Sequence, residues 1–123
     1  MAEAITLSEN NVGTVRRVSW SWTSAADGSV GAATGATTEK VYDGQVVWLV
    51  TDPGATAPTD NWDLAINDAN GVDVLAGAGA NRDTANTEYV AAASLGYVAS
   101  SKLTIAVTNA GSGKTGTVYV YIR

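Results

Sequence analysis

The chain has no cysteine, no histidine and no phenylalanine. Without cysteine there is no disulfide, no thiolate metal site and no thiol nucleophile. Without histidine the commonest general base is missing, and so is the commonest zinc and copper ligand. Without phenylalanine, tryptophan and tyrosine must supply the aromatic volume. Charge is also scarce: 15 % of residues are charged, against about 25 % in typical domains. Serine, threonine, asparagine, glycine and alanine must therefore cover the surface, which makes it flat, neutral and suited to packing against other subunits. No apolar run reaches the roughly 18 residues a membrane helix needs, so no membrane partner is expected. The start of the chain lacks a basic region followed by an apolar one, and the expectation is synthesis in a cytoplasm without Sec export.

What is present is a succession of short alternating segments. Trp62, Leu64 and Ile66 alternate with Asp63, Ala65 and Asn67, a period of two that places the apolar side chains on one face of a strand. Asn70-Gly71 reads as a tight turn, because both residues tolerate positive φ. Val72 and Val74 resume the alternation, so residues 60–75 read as a hairpin. Residues 12–23 place Val18, Trp20 and Trp22 on one face and Arg17, Ser19, Ser21 and Thr23 on the other, the pattern of a sheet with one wet side. Residues 45–51 are the most apolar run of the chain, short and rich in β-branched residues, and read as a central strand buried on both faces, with Trp48 beside Val46 and Val50. Residues 102–123 read as a closing hairpin. Leu103, Ile105 and Val107 point inward on one arm, Val118, Val120 and Ile122 on the other, and Tyr119 and Tyr121 lie opposite them.

The segments between are connections. Residues 1–11 read as an N-terminal arm or edge strand, with Ile5 and Leu7 on one face and able to reach a partner. Residues 12–123 form the rest of a single domain. Residues 24–38 are small and polar and read as a loop or weak edge strand; their glycines do not have the order of a phosphate-binding loop. Residues 52–59 hold both prolines, which deny ladder donors, and form a surface connection. Residues 76–88 form a long polar loop, a kind that often carries function. Residues 91–96 have room for one helical turn. Short strands with turn clusters between them predict an all-β fold, a single-domain antiparallel β-sandwich or small β-barrel. The predicted core is Val18, Trp20, Trp48, Val50, Trp62, Leu64, Ile66, Leu103, Ile105, Val107, Val118 and Val120.

The net charge is −5 and is unevenly placed along the chain. Asp43, Asp52, Asp60, Asp63, Asp68, Asp73, Asp83 and Glu88 face only Arg82 in the middle, and no acidic side chain follows Glu88. This reads either as solvated turns or as patches complementary between subunits. Nothing resembles a basic groove, so no nucleic-acid partner is expected. The turn from Asp68 to Asp73 spaces oxygen ligands around Gly71 but lacks the fuller calcium-loop pattern. Asp60, Asp63 and Asp68 offer carboxylate pairs, yet exposed turn carboxylates suit general acid work poorly. The expectation is no catalytic residue, no cofactor and no metal: the chain is read as a non-enzyme. Arg82, with Asp83 and Asn81, is the best candidate for an intersubunit contact, since arginine is enriched at interfaces; the alternative is a solvated or intrachain pair.

The segment 51–84 resembles small structural proteins of tailed bacteriophages. The shared features are a Pro53-Gly54 connection, Ala57-Pro58-Thr59-Asp60-Asn61, the Trp62-Asp63-Leu64 strand, the Asn70-Gly71-Val72-Asp73 turn and Ala80-Asn81-Arg82-Asp83. The likeness covers about residues 45–88. It implies a virion component without enzymatic activity, most readily a capsid decoration, or cement, protein. Such a protein is made in the bacterial host cytoplasm and sits on the capsid exterior. Its partners would be the major capsid protein and copies of itself, as a homotrimer or lattice-bound oligomer. A tail or head-fibre component fits the same resemblance. A carbohydrate-binding β-sandwich that stacks sugars on exposed tryptophan is the reading from a different class, and tryptophan exposure discriminates between them.

Overall fold

Period-two alternation becomes one apolar and one polar face only in an extended chain, and the strands follow it. A computed structural model describes residues 2–123. Its larger sheet contains β1 (Ala4–Asn10), β2 (Arg16–Thr23), β3 (Tyr42–Pro53), β5 (Glu88–Ala91), β6 (Tyr97–Ser101) and β8 (Thr115–Ile122). The smaller contains β4 (Asp63–Asn67) and β7 (Thr104–Thr108). The larger sheet runs β1-β2-β8-β3-β5, with β6 paired to the start of β3, and all its pairs are antiparallel. Single bridges from Val30 and Thr37 to Val107 and Thr104 widen the smaller sheet. Val18, Trp20, Leu49, Val118 and Val120 from one layer share a single core with Leu64, Ile66, Ile105 and Val107 from the other. The fold is an antiparallel β-sandwich in one small domain.

Three indoles lie in that core. Trp20 donates its Nε1–H to the Ala36 carbonyl at 3.0 Å, and Trp62 donates to the Asp83 carbonyl at 3.2 Å. Trp22 lies 5.2 Å from Trp62, the rings tilted by 59°, within the range favoured by aromatic pairs.

Most strand positions follow the sequence pattern, but β6 lies where no strand was expected, and two expected pairings are not formed. The segment after Asn70-Gly71 does not return as a strand beside β4. Gly71 does take a positive φ of 80°, yet Val72 is exposed and the partner of β4 is β7, over all five of its residues. The closing segments are not a hairpin either. β7 lies in the smaller sheet, while β8 lies between β2 and β3 in the larger, so residues 109–114 carry the chain from one layer to the other. The physical reason is the same in both cases. Alternation fixes which face is buried, but any strand with a matching face can serve as partner.

Trp48 is not in the core. The β3–β8 register shifts between Val46 and Trp48: Val46 pairs with Ile122 and Trp48 with Tyr121. One extra residue, Val47, reverses the alternation, as a bulge does. Val46 and Leu49 therefore point inward and are fully buried, while Trp48 points outward and is 38 % exposed. Val50 shares the outer face with Trp48. It is buried, but lies outside the core cluster.

The N-terminal segment is an edge strand, β1, paired over its whole length with β2. Ile5 and Leu7, expected at a partner surface, are half-buried against the chain's own core. Two carboxylates hold the neighbouring 31–40 segment to this strand. Glu3 accepts the N–H groups of Gly31, Ala32 and Ala33 at 2.8–2.9 Å. Glu9 accepts those of Glu39 and Lys40 at 3.2 Å and the Tyr42 hydroxyl at 2.8 Å. The expected helical turn is a short 3-10 turn at Ala92–Ser94.

Candidate functional site

One face of the larger sheet faces the core; the other has no layer upon it. Cross-strand pairs set the side chains of this outer face in rows. One row runs Ser19, Tyr119, Val50, Tyr89, and the next runs Arg17, Tyr121, Trp48, Ala91. Tyr97 stands opposite Gln45 at the β6 margin and is 72 % exposed. Four of the five tyrosines thus gather here with one tryptophan, and only Tyr42 lies inside. Trp48 stacks on Tyr89 with ring centroids 5.8 Å apart and planes 28° from parallel. Val50 is buried beneath its neighbours, so the exposed apolar surface of the strip is aromatic ring.

Beyond the aromatic rows the same face becomes hydroxylic. Ser21 and Thr117 are 3.2 Å apart through their side-chain oxygens. They line a depression of about 320 Å³ together with Thr6, Thr23, Thr115 and Trp22. The buried Trp22 Nε1–H has no hydrogen-bond partner, an exception among buried donors. Gly116 makes room for that ring: a Cβ there would lie 2.6 Å from Trp22 Cζ2.

The two ends of the sandwich differ in charge. At the end where β1 and β8 finish and β2 and β3 begin, Val12, Val15 and Val41 are exposed at 85, 39 and 59 %. Arg16 ties these segments together by donating to the Asp43 carbonyl at 2.7 Å. Arg17, Lys40, Lys102 and Arg123 lie at this same end, together with Glu9, Glu39, Asp43, Asp68 and Asp73. The opposite end holds Glu3, Asp27, Asp52, Asp60, Asp63, Asp83 and Glu88, with only Arg82 and Lys114. The acidic middle of the sequence is thus largely gathered at one end of the molecule.

The predicted contact residues of the 76–88 loop are occupied within the chain. Arg82 pairs with Glu88 at 3.6 Å, its side chain 14 % exposed, and its Nε and Nη2 donate to the Ala80 carbonyl at 3.3 Å. Asp83 accepts the N–H groups of Asn86 at 2.6 Å and Ala85 at 2.8 Å. These bonds, Asn86 foremost, hold its carboxyl below the usual range. Asn81 alone remains exposed; it takes a φ of 56° and donates its N–H to Asp63 at 3.0 Å. The Arg82 and Asp83 side chains thus fasten the loop within the chain.

Other turn carboxylates act likewise. Asp73 accepts the N–H groups of Ile66, Leu75 and Gly77 at 3.0–3.1 Å. Asp68 accepts those of Asn70 and Val72 at 2.9 and 3.0 Å. At Asp27, bonds from the Ser29 hydroxyl and then the Ser29 N–H lower the carboxyl pKa. This use explains the spacing of the 68–73 motif: its oxygens close a turn.

Sequence reasoning located Tyr119 and Tyr121 opposite the core face but missed the aromatic strip. The bulge hid Trp48, and Tyr89 and Tyr97 lie in strands too short to show a period. Comparison of the chain with protein-family models, with curated proteins and with solved structures finds no match.

Proposed function

We propose that this protein is a structural component of a tailed-phage virion, a capsid decoration protein that stands on the outer face of the major capsid protein lattice and stabilises it. The sequence resemblance of the 51–84 segment supports the class. The observation that carries the mode of action is the difference between the ends: exposed Val12, Val15 and Val41 among balanced basic and acidic side chains at one end, and an excess of acid at the other. An apolar patch rimmed by charge is the anatomy of a docking surface. A charge difference between ends orients each copy the same way on approach. Each copy contributes a small contact, and an array of copies, trimeric or joined only through the lattice, adds them by effective concentration.

Co-sedimentation with capsids lacking the protein tests this. Wild-type protein binds at a fixed ratio to the major capsid protein and raises the temperature of capsid disruption. The Val12→Asp, Val41→Asp double variant folds normally and binds at least tenfold more weakly. No saturable binding of wild type to capsids, with binding to isolated tails instead, would move the protein to the tail or head fibre. Binding unchanged in the double variant would remove the valine end as the docking surface.

A further inference from the structure

We infer that the outer face of the larger sheet is a binding platform for a neutral glycan, centred on Trp48, Tyr89 and Tyr121. This inference does not depend on the virion reading. Three features of the face point to this ligand. The rings gather on neighbouring strands: Trp48 stacks on Tyr89 and stands opposite Tyr121 in the β3–β8 register. Flat ring surface takes the apolar C–H face of a pyranose, while the phenol O–H groups remain free to bond its hydroxyls.

The second feature is what the face lacks in aliphatic surface. Val50, the one aliphatic side chain in the aromatic rows larger than alanine, is 8 % exposed. The rows present rings, and the next row presents the hydroxyls of Ser21 and Thr117 with the Asp52 carboxylate, groups that a polyol can bond. The depression beyond the rows adds the hydroxyl groups of Thr6, Ser21 and Thr117 to the same sheet.

The third feature is charge. Arg17 is the one basic side chain in the aromatic rows, and the whole chain carries −5. An anionic polymer gains little from one arginine and is repelled by the rest. A neutral polysaccharide meets no such penalty. Each hexose adds a weak contact, and affinity arises from several rows engaging one chain.

Affinity electrophoresis tests this on the full chain, in gels that contain one soluble polysaccharide each: an α-glucan, a hydroxyethyl β-glucan, a galactomannan, glycol chitin and, as the anionic comparison, alginate. At least one neutral polymer retards the wild-type protein, and alginate does not. Trp48→Ala and Tyr121→Ala each weaken the retardation at least tenfold while retaining the wild-type circular dichroism spectrum. The Val12→Asp, Val41→Asp variant is retarded as wild type is, which separates this face from the capsid-docking end. The retarding polymer also shifts tryptophan emission in wild type and not in Trp48→Phe. Retardation by none of the neutral polymers, or retardation that survives Trp48→Ala, overturns the inference. So does self-association in sedimentation velocity that Trp48→Ala abolishes, since the strip would then seat a second copy.

Discussion

The Tyr42 hydroxyl donates a 2.8 Å hydrogen bond to Glu9, joining the first residues of β3 to the last turn of β1. The same carboxylate holds the N–H groups of Glu39 and Lys40. Burial of the phenol raises its pKa well above the ordinary value of 10.0, and the hydrogen bond to Glu9 raises it further. A phenol that stays protonated in the folded state favours folding fully below the unfolded pKa. That contribution is lost as pH rises beyond about 10, where the unfolded chain ionises first. Tyr42→Phe therefore lowers stability at pH 7 by about 1 kcal/mol, and its stability falls less steeply than that of wild type above pH 10. Urea melts of the two proteins at pH 7, 9 and 11 measure the difference. Parallel slopes above pH 10 would refute this assignment.

Trp62 and Trp48 respond differently to truncation. Trp62 is fully buried and makes both a ring contact and a hydrogen bond, so Trp62→Ala costs about 3–5 kcal/mol. Trp48 stands on the open face at 38 % exposure, and Trp48→Ala costs less than about 2 kcal/mol. In acrylamide quenching, Trp48→Phe removes the readily quenched fraction of the emission. Equal losses of stability in the two variants would mean that the bulge does not turn Trp48 outward.

Asp73 is the fastener of the 68–77 turn region. Three N–H groups converge on its carboxylate, and hydrogen bonds to a charged group contribute about 1.5–3 kcal/mol. Asp73→Ala lowers the denaturation midpoint by an amount equivalent to about 2–3 kcal/mol, whereas Asp73→Asn retains part of it. Hydrogen exchange at Leu75 and Gly77 accelerates in both. An Asp73→Ala protein as stable as wild type would contradict this role.

Gly116 sits where β8 passes the Trp22 ring. An alanine there would bring its Cβ 2.6 Å from Cζ2, below van der Waals contact. Gly116→Ala forces Trp22 to move and costs about 2 kcal/mol. The near-ultraviolet circular dichroism of the Trp22–Trp62 pair changes with it. A thermal melt and a near-ultraviolet spectrum check both, and an unperturbed spectrum would show that the ring has room to spare.

The sequence alone determined the positions and buried faces of β2, β4, β7 and β8, because alternation of Trp20 with Ser19 and Ser21, or of Ile105 with Thr104 and Ala106, has one extended solution. It determined the Asn70-Gly71 turn, because positive φ is inexpensive there. The partners were decided by the tertiary structure alone. β4 and β7 are far apart in sequence and carry no local mark of each other, and their pairing minimises exposed apolar surface over the whole chain. The outer face was decided there too. The single inserted residue between Val46 and Trp48 has no signature in the continuous apolar run from Val46 to Val50, since either face of such a run accepts a valine. The register of β3 against β8 settles the matter, burying Val46 and Leu49 and leaving Trp48 to complete the aromatic strip. The intrachain partners of Arg82 and Asp83 were decided in the same way: the loop closes on itself, and closure brings Glu88 and the Ala85 and Asn86 N–H groups within reach.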